Sequence, residues 1–283
     1  MTALLAPEWG GIGLLTLLLG FGALLFFRKL KQRRLHRQRL NTPFSPEERA
    51  ILDRDFPRHR HLPEEFEIRF EGFTRVLMEE KNFEACGGLS EVTAEMKLLI
   101  SAQAAMLLLG IPRHDFYPQL KSILVYPGAF RDRGRRRFDL READDRGILL
   151  GESWESGSVV LSWDSVVAGG RNEDDGVNVV IHEFAHQLDQ MNGVAEGVPI
   201  LPNREAYARW ADVFGRHFDE LVEESEGRAE QDPFLDPYGA TDPSEFFAVV
   251  SETFFEESAD LKLEHPELYR ELSLFYGLDP ASW

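Results

Sequence analysis

His182 and His186 stand four residues apart with Glu183 directly after the first of them, in the order His182-Glu183-Phe184-Ala185-His186. On a helix, side chains at i and i+4 share a face, so both imidazoles can offer a neutral ring nitrogen to one Zn²⁺. The carboxylate between them lies about 100° round the same helix, within reach of a water held by that ion. Zinc lowers the pKa of such a water toward neutrality, a carboxylate takes its proton, and the hydroxide attacks a carbonyl carbon. The implied chemistry is peptide-bond hydrolysis. A random chain of this length would carry the pattern roughly once in a hundred, so the surrounding sequence decides its weight.

That surrounding is favourable. Asp174-Asp175-Gly176 reads as a helix start, and Val177, Val180, Ile181, Phe184 and Leu188 recur at helical spacing as an apolar stripe. The two histidines lie off that stripe. The longer zincin pattern, with Gly three and His six residues past the second histidine, fails because Asp189 and Asn192 stand there. A glutamate third ligand is therefore required. Glu205 lies nineteen residues past His186, and Glu245 lies in Thr241-Asp242-Pro243-Ser244-Glu245-Phe246-Phe247. Both open predicted helices. Asp242 as N-cap, Pro243 at N1 and Glu245 at N3 also resemble a capping box, in which the glutamate serves the helix. Spacing alone leaves both candidates open.

Further segments carry a resemblance. Phe83-Glu84-Ala85-Cys86-Gly87-Gly88-Leu89, Ile123 to Pro127, Gly151 to Trp154, Val160 to Trp163, His182 to Asp189 and Asp242 to Val249 together resemble the Mlc titration factor A family of zinc-dependent peptidases, over roughly residues 70 to 280. The resemblance implies one Zn²⁺ on His182, His186 and Glu245, with Glu183 as general base. It implies that Tyr238, seven residues before the third ligand, assists. The catalytic domain of anthrax lethal factor is similar in using a Tyr and a Glu seven apart. It also implies a peptide or protein substrate, and the family's name points to a regulatory protein partner, the glucose repressor Mlc. Tyr238 has a physical case as well: a phenol O–H aimed at the former carbonyl oxygen stabilises developing negative charge more than it does the substrate. Asp236-Pro237 and Gly239 predict a turn around it. Asp189, three residues past His186 on nearly the same face, could orient a histidine by hydrogen bonding, but it reads rather as a solvated acid at the helix end and stays outside the expected site.

The N-terminus carries a second signal. Gly11 to Phe27 is a run of seventeen uncharged residues, nineteen with Trp9 and Gly10. At about 1.5 Å per residue it covers roughly 28 Å, close to the hydrocarbon thickness of a bilayer. Arg28, Lys29, Lys31, Arg33, Arg34, Arg37 and Arg39 follow it, against Glu8 alone ahead of it. Positive charge after the apolar run, with no small-residue cleavage site, predicts a single-pass anchor in the inner membrane, N-terminus outside and the catalytic body in the cytoplasm.

The chain of 283 residues carries 31 Lys and Arg against 49 Asp and Glu; residues 1–40 hold seven and one of these, leaving a strongly acidic body. Such a body disfavours nucleic acid as a partner, and the basic flank is better matched to topology and anionic lipid. Cys86 is the one cysteine, which excludes an intramolecular disulfide and cysteine-rich zinc sites. Residues 41–69 read as a linker, in which Asn41 to Pro63 is a Pro-, charge- and His-rich linker or short helix, with His59 and His61 expected in solvent. Glu91 to Gly110 predicts an apolar central helix. Ser122 to Tyr126 and Ser158 to Trp163 predict strands, the second either an internal strand or an edge to which an extended substrate adds. Residues 204 to 227 and 242 to 276 predict helices. The expected molecule is an α+β zincin-like peptidase domain over residues 70–283, with a small mixed sheet and an active-site helix, behind one transmembrane helix over residues 1–40. Its rival is a binding protein that sequesters a regulatory partner, with zinc structural or incidental.

Overall fold

The computed structural model describes residues 26, 31, 34–112, 116–128, 157–228 and 234–283. The apolar run Gly11 to Phe27 lies, Phe26 apart, outside the described residues, as do Gly151 to Trp154. Among the described residues no helix is long and apolar enough to cross a membrane.

The stretch read as a linker is folded into the body. Helix α1 (Pro46–Asp55) starts on a capping box: Ser45 Oγ accepts from the Glu48 amide, and Glu48 Oε2 accepts from the Ser45 amide at 2.8 Å. A 3₁₀ turn, Pro57–His61, leads into α2 (Glu64–Glu80). Phe44, Leu52, Phe56 and Leu62 are all buried, so the Pro- and charge-rich composition hid an apolar face. His59 is half-buried, stacked on Phe70 with ring centroids 6.2 Å apart, rather than in solvent.

Strand β1 (Asn82–Ala85), helix α3 (Ala94–Met106), strand β2 (Ser122–Tyr126) and strand β3 (Ser158–Ser162) follow. The sheet runs β1-β2-β3 with both pairs parallel, Phe83 opposite Ile123 and Ile123 opposite Val159. This corrects the expected mixed sheet: among the described residues it is parallel throughout, since each strand is reached by a crossover rather than a hairpin. Strand β1 was not anticipated, because four largely exposed residues with two polar side chains give no apolar alternation. Helix α3 matches its expectation, with every residue from Leu98 to Met106 buried.

Strand β3 runs straight into α4 (Trp163–Arg171), and after a turn into the motif helix α5 (Val179–Asp189). Helix α6 (Arg204–Glu223) comes next, and the region from 242 to 276, expected to be helical, is divided into α7 (Pro243–Glu256), α8 (Ser258–Glu264) and α9 (Pro266–Tyr276). Pro266 supplies one of the two breaks, since a proline cannot donate within a helix and starts a new one. Helix α7 is buried along its whole length from Ser244 to Glu256 and packs on α5, so it forms the wall against which the motif is fixed.

Candidate metal centre

Helix α5 begins at Asn178, whose Oδ1 accepts from the amides of Val180 and Ile181 at 3.0 and 3.1 Å. With that start fixed, Val180, Ile181, Phe184 and Leu188 point into the core. His182 and His186 turn toward α7, their rings edge to face at 4.9 Å. Helix α7 begins at Asp242, whose Oδ1 accepts from the amides of Ser244 and Glu245 at 2.9 and 3.0 Å. Its cap is the one expected, while the Glu245 carboxylate reaches the histidines.

Three donor atoms converge there. His182 Nε2 lies 3.0 Å from Glu245 Oε2 and 3.2 Å from His186 Nε2, and His186 Nε2 lies 3.4 Å from Glu245 Oε2. Among the described residues this is the one group of three His, Cys, Asp or Glu side chains with ligand atoms all within 4.8 Å of one another. Glu205, the other candidate, is exposed in the first turn of α6 and outside the cluster.

The second nitrogen of each ring is tied down. His182 Nδ1 donates to Glu252 Oε1 at 2.7 Å, and Glu252 Oε2 accepts from the Asn178 amide at 2.6 Å. His186 Nδ1 donates to Ser244 Oγ at 3.0 Å, and Ser244 Oγ donates to Asp189 Oδ2 at 2.9 Å. Asp189 also accepts from the amides of Gly197 and Val198 at 2.9 and 2.8 Å. Gly197 has φ +71°, and a Cβ there would stand 2.1 Å from the Pro243 carbonyl oxygen, so only glycine lets this loop lie against the start of α7. These contacts hold a hydrogen on Nδ1 of both rings and aim both Nε2 atoms at one point, which is how metal-bound histidines are oriented.

Without an ion, a proton on His182 takes the place of a cation among these atoms. Burial penalises a charged His182, yet Glu252 and Glu245 beside it push its pKa up to about 10. Burial takes His186 down to about 4 against the pull of Glu245. Burial opposes ionisation of Glu245 too, but its bonds from both histidines hold its carboxyl well below the usual range. The pocket thus favours one anionic oxygen and one positive charge at its centre. Two imidazoles and a carboxylate suit a divalent ion of intermediate softness.

Glu183 is half-buried on α5 directly after the first histidine. Tyr238 sits in a 3₁₀ turn, Pro237–Ala240, capped by the Asp236 side chain, with its ring centroid 6.1 Å from that of His182. The expected turn is present and leans over the cluster. Asp189 corrects the sequence reading: it is fully buried and supports His186 through Ser244. Burial pushes its carboxyl up despite the bonds it accepts from Ser244 and from backbone amides. Glu252, Ser244 and Asn178 were missed altogether.

Residues 28–277 match the family described as glucose-regulated metallo-peptidase M90. The chain belongs to that family of metallopeptidases. An uncharacterized protein of Synechocystis sp. is 37% identical over 247 residues, which cover 86% of this chain and 88% of that one. Mlc titration factor A of Pectobacterium atrosepticum is 37% identical over 179 residues, covering 62% and 65%. Mlc titration factor A of Serratia proteamaculans is 33% identical over 209 residues, covering 73% and 78%. The family matches the resemblance drawn from the motifs. It extends upstream of residue 70, in keeping with the burial of Phe44, Leu52 and Phe56.

Proposed function

We propose that the protein hydrolyses peptide bonds with one Zn²⁺ held by His182, His186 and Glu245. The observation that carries this reading is the convergence of two Nε2 atoms and one carboxylate oxygen beside Glu183, with both Nδ1 atoms tied to Glu252 and Ser244. When bound, zinc supplies Lewis-acid polarisation of a carbonyl and makes water acidic enough to ionise near neutral pH.

The side chains then divide the work. Glu183 accepts a proton from the water whose oxygen adds to the peptide carbonyl carbon. As the C–N bond breaks, Glu183 returns that proton to the departing amine nitrogen. Tyr238 donates its phenol hydrogen bond to the carbonyl oxygen as charge builds on it. Glu252 and the Ser244–Asp189 pair keep the two imidazoles in one tautomer and one orientation.

Glu183→Gln tests the assignment, since a neutral amide fits the same space and cannot take the proton. The variant is expected to retain near-stoichiometric zinc by elemental analysis while cleavage of a peptide library falls by orders of magnitude. Unchanged cleavage would remove Glu183 from the reaction. His182→Ala and His186→Ala are expected to lose the metal as well. The name Mlc titration factor A, carried by relatives, supports a second reading in which a protein partner is bound. Partner binding that persists in Glu183→Gln would separate that activity from hydrolysis.

A further inference from the structure

The turn that carries Tyr238 is tied down through its backbone. Asp236 Oδ1 accepts from the Tyr238 amide at 2.7 Å, and the Tyr238 carbonyl oxygen accepts from the Thr241 amide at 3.1 Å and from Thr241 Oγ1 at 2.7 Å. The next residue, Gly239, is buried. A Cβ there would stand 3.3 Å from Val249 Cβ and 3.5 Å from Phe246 Cα on α7, and 3.1 Å from Leu221 Cδ2 on α6. We infer that Gly239 is a positioning residue for the reaction: its bare backbone lets the turn lie flat on α7, and that contact sets how far the Tyr238 hydroxyl stands from His182, His186 and Glu245. The inference rests on the role given to Tyr238 above.

Backbone conformation does not call for glycine here. Gly239 lies in a 3₁₀ turn, a conformation open to any residue, and it is not one of the glycines of positive φ. A glycine also gives up more conformational freedom on folding than any other residue. What accounts for it is space.

The surface under the turn is the one that builds the metal centre. Val249 lies four residues past Glu245 and three before Glu252, so it shares a face of α7 with both, and Phe246 directly follows Glu245. Seating the turn there brings the Tyr238 ring to 6.1 Å from that of His182, tilted by 44°. Glu245 is fixed at the start of the same helix by the Asp242 cap, so metal ligand and phenol share one support. A methyl group at residue 239 would be tighter than ordinary packing against Val249 and Leu221. The Leu221 side chain can swing aside, but Val249 Cβ and Phe246 Cα move only with the helix. The turn must therefore lift by a few tenths of an ångström. A displacement of about 1 Å costs on the order of a hundredfold in rate, so a lift of this size costs about three- to tenfold where the hydrogen bond meets charge that develops in the transition state.

Gly239→Ala tests this on the zinc-loaded full chain, with a fluorogenic peptide drawn from those that wild type cleaves. kcat should fall about three- to tenfold, with KM and zinc content near wild type. The same alanine added to Tyr238→Phe should change kcat by less than about twofold, because the hydroxyl it displaces is gone. A second readout needs no cleavage. In protein carrying ¹³C in the rings of its six tyrosines, the NMR signal that Tyr238→Phe deletes should shift in Gly239→Ala by more than the other five. Adding Leu221→Ala to Gly239→Ala frees the α6 side, which keeps the variant folded where the methyl alone does not. Measured against Leu221→Ala, that pair should show the same loss of kcat and the same shift. An equal loss with and without the Tyr238 hydroxyl overturns the inference and leaves Tyr238 its role, Gly239 then serving packing alone. Full activity of Tyr238→Phe removes Tyr238 from the reaction and the inference with it. A Tyr238 signal that stays in place in Gly239→Ala defeats the inference whatever becomes of the peptidase reading.

Discussion

Helix α7 carries three acids, Glu245, Glu252 and Glu256, along a helix that after Pro243 is otherwise built of Phe, Val, Ala, Ser and Thr. Steps of seven and four residues keep all three on the side facing α5. Glu245 faces the histidine Nε2 atoms, Glu252 holds His182 from behind, and Glu256 braces Asn178. If Glu252 orients His182, Glu252→Gln should lower zinc affinity by about 10- to 100-fold in competition with a chelator while thermal unfolding of the metal-free protein changes little. Equal zinc affinity in the two proteins would reduce Glu252 to a packing role. Tyr238→Phe makes a separate case: kcat and kcat/KM should fall together by roughly tenfold to a thousandfold, with KM and zinc content near wild type, because the hydroxyl meets charge that exists only in the transition state. A change confined to KM would reassign Tyr238 to substrate binding. His182, Glu183 and His186 were legible because their contacts are set by the pitch of one helix. Glu245 was not separable from Glu205 by spacing, since the chain returns to the site through tertiary packing. Asp189 looked solvated because its partner Ser244 lies 55 residues on. The available clue was an acid buried in a run too apolar for any unpaired charge, which applies equally to Glu252.

At the scale of elements, the N-terminal end of the body shows what composition conceals. Helix α1 is held by its capping box and by a two-pronged ion pair in which Arg75 Nη1 and Nη2 donate to Glu48 Oε1 and Oε2, each at 2.7 Å. That pair ties α1 to α2 and holds the Glu48 carboxyl below its ordinary range, against the opposing effect of partial burial. A depressed folded-state pKa contributes stability that is fully present above the unfolded value near 4.5 and is lost as pH falls through the folded value. Glu48→Gln keeps an acceptor for the Ser45 amide but loses the charge. It should cost about 1 kcal/mol in urea unfolding at pH 7, with the gap to wild type closing as both are taken well below pH 4.5. A gap independent of pH would mean that the loss is one of packing rather than of charge. The sequence reading left this segment open between linker and short helix because Pro, His and Arg dominate it by number. Its burial rests on four apolar residues spaced by turns rather than by a single uninterrupted helix.

At the scale of the whole molecule, the basic segment and the acidic body meet. Residues 34–39 are helical, and Arg39 pairs with Glu79 and Glu80 at 2.7 and 2.9 Å while His36 contacts Glu80 at 2.9 Å. Leu40 packs on the core at Gly72, where a Cβ would stand 2.4 Å from the Leu40 carbonyl oxygen. Arg39, one of the basic residues that follow the apolar run, thus pairs with the body, and the boundary at residue 40 expected from hydropathy cuts through that contact. The inner-membrane anchor is a proposal from the apolar run and its flanks. Two truncations separate anchor from body. Removal of residues 1–33 should give a protein that remains in the supernatant after ultracentrifugation, binds zinc and unfolds at the temperature of the full chain in detergent. Removal of residues 1–40 should lower Tm by a few degrees, through the loss of roughly 1 kcal/mol or more of Leu40 burial and the Arg39 pairs. Orientation has its own readout. A reporter active only outside the cytoplasm, fused after Trp283, should be silent, because the seven basic residues that follow the apolar run resist translocation. An active reporter at that junction would place the metal centre on the other side of the membrane, and a full chain that stays in the supernatant without detergent would dispose of the anchor itself.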